Sequence, residues 1–209
     1  MAEIKVVYNV KRLIGILLHI VFDCNTQYMN VLPYNCGYRH QGGFYSWDCW
    51  NLIKTIFWGW TDGFNVGSYL FAKDKNGMGD WDGRQILDKC SGVSKDFSAV
   101  SAGEYLLTGM EDHAGIYIGK YTWQGYEFNT VECSPKTDVM IGGVMLTYTD
   151  EKGRRFNHKG GTQAGSWGYH GKLPWVDYAE ETPVVEVKVE NKDGKSVVTF
   201  SGNVKAVVK

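Results

Sequence analysis

No Cys-x-x-Cys pair occurs in this chain, and its five cysteines (Cys24, Cys36, Cys49, Cys90 and Cys133) are odd in number. That argues against a zinc site and a full disulfide framework, and fits a reduced compartment or a lone reactive thiol. There is no basic excess either: 22 Lys and Arg stand against 23 Asp and Glu, for a net charge of −1. A nucleic-acid binder needs a cationic footprint that this chain does not carry. A membrane-length apolar run is also missing. The N-terminal run Leu13 to Phe22 is far shorter than the ~20 residues a span requires. It follows Lys11-Arg12 in the manner of a signal peptide, yet it lacks a small-residue cleavage site and enters Asp23-Cys24 without the small residues of a lipoprotein signal. It reads as a core helix capped by Asn9. No export signal is read, and no internal repeat supplies a complete binding module.

Aromatics and glycine are abundant, with eight tryptophans and 26 glycines, a combination that suggests aromatic platforms on tight loops. Trp58, Trp60 and Trp81 are expected in the core instead. The length of 209 residues suits one domain with a small appendage.

The stretch Ser46-Trp47-Asp48-Cys49-Trp50-Asn51-Leu52-Ile53-Lys54-Thr55-Ile56 places one cysteine where a helix begins. Leu52, Ile53, Ile56 and Phe57 recur at helical spacing and lay one stripe on a core. Cys49 falls in the first turn, where unpaired N–H groups and the positive end of the helix dipole favour an anion, so its thiol is expected to ionise more easily than a free one. Asp48 is read as the helix cap, without a catalytic role.

About sixty residues later, Asp112-His113-Ala114-Gly115-Ile116-Tyr117-Ile118-Gly119 reads as a strand opened by a histidine and closed by a glycine turn. After an aromatic, glycine-rich turn, Tyr126 to Cys133 reads as the partner strand of a hairpin. Glu132 shares a face with Phe128 and Thr130, so its carboxylate is placed to meet His113 and fix the imidazole's tautomer. Cys133 points to the opposite face, buried and inert. His19, His40, His158 and His170 are expected to be packed or solvated.

The order of helix-borne cysteine, strand-opening histidine and polar residue on the next strand resembles the NlpC/P60 cysteine peptidases. The wording "DCWNLIKTIFWGW", "DHAGIYIG", "VECSP" and "WGYHGKLPWVDY" is similar to the phage-endolysin and gut-bacterial branch of that family, over roughly residues 10 to 178. The resemblance implies a papain-like fold and cleavage of peptidoglycan stem peptides. Cys49 would be the nucleophile, His113 the general base and Glu132 the orienting group, with no cofactor and no metal. A tyrosine upstream of the nucleophile is implied as well, either Tyr28, slightly favoured, or Tyr34. Trp50 and Trp167 are the other candidate substrate contacts. The chain departs from the commoner pattern at Trp50, where a small residue is usual, at Ala114, where valine or isoleucine is usual, and at Glu132, where many members carry histidine.

Helices first and antiparallel strands afterwards give an α+β fold class, with helices packed on a central antiparallel sheet. Residues 1–182 are assigned to the catalytic domain and 183–209 to a β-hairpin extension or the start of a C-terminal module. Thr61 to Gly83 is a Gly/Asp-rich insertion, Gly83 to Cys90 a second helix, Gly103 to Leu107 the first core strand and Val144 to Thr149 a further one. Arg154 to Gly171 is expected to be a mobile loop near the cleft, carrying Trp167. The expected protein is a monomer acting on the bacterial cell wall, with no nucleic-acid partner and no membrane span. Two rivals stay open: an N-acetylmuramoyl-L-alanine amidase or acyltransferase on the same scaffold, and a non-catalytic wall-binding protein.

Overall fold

In this computed structural model, residues 3–24, 26–28, 39–41, 44–59, 75–137, 140–179, 186–192 and 195–201 are described. Their elements in chain order are β1 (Tyr8–Asn9), α1 (Val10–Asp23), β2 (Thr26–Tyr28), β3 (Arg39–Gln41), β4 (Phe44–Trp47), α2 (Cys49–Phe57), α3 (Gly83–Leu87), β5 (Ser91–Ser94), β6 (Tyr105–Thr108), β7 (Ala114–Trp123) and β8 (Tyr126–Thr137). They continue with β9 (Met140–Thr149), β10 (Arg154–Phe156), β11 (Gln163–Lys172), β12 (Val176–Asp177), β13 (Glu186–Lys192) and β14 (Lys195–Ser201).

The strands β10-β9-β8-β7-β6-β11 pair in that order, and β10 also pairs with β11, so the sheet closes on itself as a six-stranded antiparallel barrel. This corrects the papain-like α+β arrangement of helices on a central sheet: the helices are few and the barrel dominates. The difference arises in one segment. Arg154 to Gly171, expected to be a loop, contains β10 and most of β11, the two strands that join the sheet's ends. Glycines at 165, 168 and 171 in β11 interrupt the alternation by which a strand is recognised in sequence. Register shifts between Arg155 and Phe156 and between Trp167 and Tyr169 mark bulges that curl the strands.

Gly119 is corrected in the same way. It does not end its strand. β7 continues to Trp123 through a register shift between Tyr117 and Tyr121, and Gly119 adopts the positive φ of 75° found there. The true turn is the two-residue Gln124-Gly125, with φ of 49° and 82°, which matches the twist of the flanking strands.

Helix α1 begins at Asn9, whose side chain accepts the Arg12 N–H at 2.8 Å. Leu13, Leu17 and Ile20 recur on its buried face and pack on the barrel's outer surface with Ile116, Val131, Cys133 and Leu146. Burying each such side chain is worth roughly 1.5–3 kcal/mol. The opposite, inner face carries a smaller cluster of Phe97, Leu106 and Trp167. Side chains fill the interior, as a barrel this narrow requires. Trp58 is buried and Trp81 packs against the main core, as expected, whereas Trp60 lies outside the described residues. The hairpin expected after Pro183 forms from β13 and β14, paired from Glu186↔Ser201 to Lys192↔Lys195. Among the described residues, no helix is long and apolar enough to cross a membrane.

Candidate active site

Helix α2 carries Cys49 at its first residue, and Asp48 caps it by accepting the Asn51 N–H at 2.8 Å. Every residue from Asn51 to Phe57 is buried, so the polar ones must be paired. The Thr55 hydroxyl donates to the Asn51 carbonyl at 2.7 Å, and Lys54 Nζ meets Asp80 at 2.6 Å. Asn76 donates to the Phe57 carbonyl and closes the helix's far end. The nucleophile candidate therefore sits on a helix fixed at both ends and through Lys54.

The backbone N–H of Ala114, the residue after His113, lies near enough to the Cys49 sulfur to favour its thiolate. Cys49 and the mouth of β7 are thus in contact. The expected ease of ionisation is corrected. Burial pushes the thiol up to about 12 and the Asp48 carboxylate beside it adds to the rise, while the N–H groups of Ala114, Trp50 and Cys49 pull the other way without prevailing. Cys49 is 4% exposed. Its thiol rests protonated, and the helix terminus alone does not make it a thiolate.

His113 and Glu132 meet as the strand register requires. Gly115 stands opposite Glu132 across the β7–β8 ladder, and His113, two residues earlier on the same face, reaches the carboxylate at 2.6 Å through Nε2. Burial alone would push Glu132 up, yet the hydrogen bond and charge of His113 and the charge of Arg155 bring it below its ordinary value. An ionised carboxylate only accepts, so Nε2 is the donor and Nδ1 is the nitrogen left to take a proton.

Two members of the cluster have roles the sequence did not show. Arg155 on β10 donates Nη1 to the same Glu132 oxygen at 2.9 Å and Nη2 to the Ala164 carbonyl at 3.0 Å. Trp167, expected to be a substrate platform on an open loop, is instead 4% exposed. Its ring lies parallel to His113 with centroids 5.5 Å apart, the Arg155 guanidinium lies 5.3 Å from its ring, and its indole N–H donates to Thr149 at 2.8 Å. Trp167 is a wall behind the imidazole. A signal for Arg155 was present only as the second of two adjacent arginines in a basic, turn-rich segment, which carries no pairing information.

Trp50 is half-buried and packs beside Gly83 at the start of α3. Tyr34 lies outside the described residues, and of Tyr28 the backbone alone is described, in β2 paired with β4. Cys133 is buried on the opposite face from Glu132, its thiol donating to the Trp47 carbonyl at 3.2 Å and pushed up by burial. Cys49, Cys90 and Cys133 are free thiols, and among the described residues no group of His, Cys, Asp and Glu is placed to hold a metal ion. A cavity of about 210 Å³ lies elsewhere, lined by Phe97, Tyr117, Asn129 and Tyr148 among others. Two of its carboxylates are already taken, Asp150 by Arg154 and Glu127 by Lys159. Compared with family models, curated proteins and solved structures, the chain matches none.

Proposed function

We propose that this protein is a thiol hydrolase that cleaves amide bonds through Cys49, with His113 as general base and Glu132 as the group that orients it. The observation that carries this reading is the imidazole of His113 held through Nε2 by a buried, ionised Glu132, with the N–H of the next residue, Ala114, beside the Cys49 sulfur. Nδ1 of His113 takes the proton from the Cys49 thiol as the sulfur attacks the carbonyl carbon. The Cys49 backbone N–H at the start of α2 is the donor proposed for the developing oxyanion, such a donor being worth about 3 kcal/mol. The tetrahedral adduct collapses to a thioester, and the imidazolium returns its proton to the departing amine. Water, deprotonated by the same imidazole, then releases the acid and restores the thiol. This chemistry does not require a papain-like scaffold, since such constellations recur on unrelated folds.

For the substrate we propose the stem peptides of bacterial peptidoglycan, on the similarity of the sequence around Cys49, His113 and Glu132 to cell-wall cysteine peptidases. Purified sacculi incubated with the protein, followed by mass spectrometry of released muropeptides, test it. The expected result is a new free amine within the stem peptide, lost in Cys49→Ala. A new amine at the muramoyl-linked alanine would make the protein an amidase. Wild-type protein that releases nothing, or a Cys49→Ala variant as active as wild type, overturns the reading.

A further inference from the structure

We propose that Arg155 is a positioning residue that governs the charge state of the His113–Glu132 pair. The inference rests on the thiol-hydrolase reading above and adds a control on its base. Both donors land on the same oxygen, Glu132 Oε2, His113 Nε2 at 2.6 Å and Arg155 Nη1 at 2.9 Å. Arg155 is not a loose surface cation. Its side chain is 14% exposed and Glu132 is fully buried. Nη2 is fixed to the Ala164 carbonyl and the guanidinium lies against Trp167, the same indole that stacks on His113. Gly165 gives it room, because a Cβ there would stand 3.3 Å from Nη2.

The electrostatic consequence follows from counting charges. With His113 neutral, Glu132 and Arg155 form a balanced pair in a largely buried site. With His113 protonated, the same cluster carries a net positive charge that burial penalises. A histidine facing a buried carboxylate with no competing cation would be held as imidazolium, unable to accept the Cys49 proton. Arg155 takes part of the carboxylate's charge and favours the neutral base that a protonated thiol needs.

The other groups around the pair do not supply this effect. From α2 come the Cys49 thiol and Asp48, the latter near the Lys54–Asp80 pair. From the turn before His113 comes Asp112, bonded to the Thr108 hydroxyl at 2.6 Å. β11 contributes the uncharged Trp167.

The test is the pH titration of the His113 ring by NMR in a Cys49→Ala background, which removes the coupled thiol. Arg155→Met is expected to move the midpoint up by about one pH unit, and Arg155→Lys, which keeps the charge, to leave it near the parent. An unmoved midpoint in Arg155→Met overturns the proposal, as does an equal shift in Arg155→Lys, which would mark a packing effect. Should Arg155→Met fail to fold, Arg155→Gln carries the same expectation. The titration does not need turnover, so muropeptide release by otherwise wild-type protein separately decides the hydrolase reading.

Discussion

His113 Nε2 donates to Glu132 Oε2 at 2.6 Å from just before the strand in which Gly115 stands directly opposite Glu132. A glycine there leaves space for Trp167, the ring on which His113 rests. A Cβ at Gly115 would stand 3.1 Å from Trp167 Cη2 and 3.1 Å from the Val131 carbonyl oxygen.

Gly115→Ala therefore forces the indole or the ladder to shift. Overpacking of this kind costs about 1–3 kcal/mol. A urea titration should show a lower midpoint, and Cys49-dependent hydrolysis should fall with it because the imidazole loses its wall. An unchanged midpoint would mean that the indole moves freely, contrary to its bond to Thr149.

Glu132→Gln leaves Arg155 buried without its counter-charge, and removing one partner of such a pair costs about 3 kcal/mol. The sign of the pH dependence is set by the lowered folded value of Glu132 relative to 4.5. Its stabilisation is complete above the ordinary carboxyl range and disappears as pH falls through the folded value. The stability gap between wild type and Glu132→Gln, measured by denaturant unfolding, should be widest near neutrality and close in acid. A gap that is constant with pH would argue against an ionised Glu132.

The Cys49 thiol, raised from 9.0 to about 12, has the opposite dependence. The folded protein keeps a proton that the unfolded chain releases, so stability contributed below pH 9 is lost as pH climbs toward 12. Cys49→Ala should flatten part of the alkaline decline. Asp48→Asn keeps a capping side chain and removes the charge beside the sulfur, so iodoacetamide should alkylate Cys49 up to about tenfold faster at a given pH, one pH unit being a factor of ten. Slower alkylation would show that Asp48 aids the thiol instead of restraining it.

Asp80→Asn strands the Lys54 ammonium of the nucleophile's helix, whose side chain is 4% exposed. The expected loss is about 3 kcal/mol, with Lys54→Met/Asp80→Leu regaining most of it. Thermal unfolding of the single and double variants checks both. A double variant no better than Asp80→Asn would show that the pair matters for shape and not for charge balance.

Local periodicity determined a good deal of this protein. The Asn9 and Asp48 caps, the apolar stripes of α1 and α2, the β7–β8 hairpin and the pairing of β13 with β14 all follow from residues a few positions apart. The parity that puts Glu132 on the face of Thr130, and so within reach of His113, is likewise a property of a strand's period of two. What the sequence could not state depends on contacts between distant segments. The barrel closes through β10, only three residues long, and β11, whose glycines conceal its alternation. Arg155 reaches Glu132 from another strand, 23 residues away in the chain. Burial then reverses the influence of the helix terminus on the Cys49 thiol. Helix starts and strand faces are fixed by neighbours along the backbone, but desolvation and charge pairing are fixed by whatever the closed barrel brings alongside, and only the tertiary structure decides that.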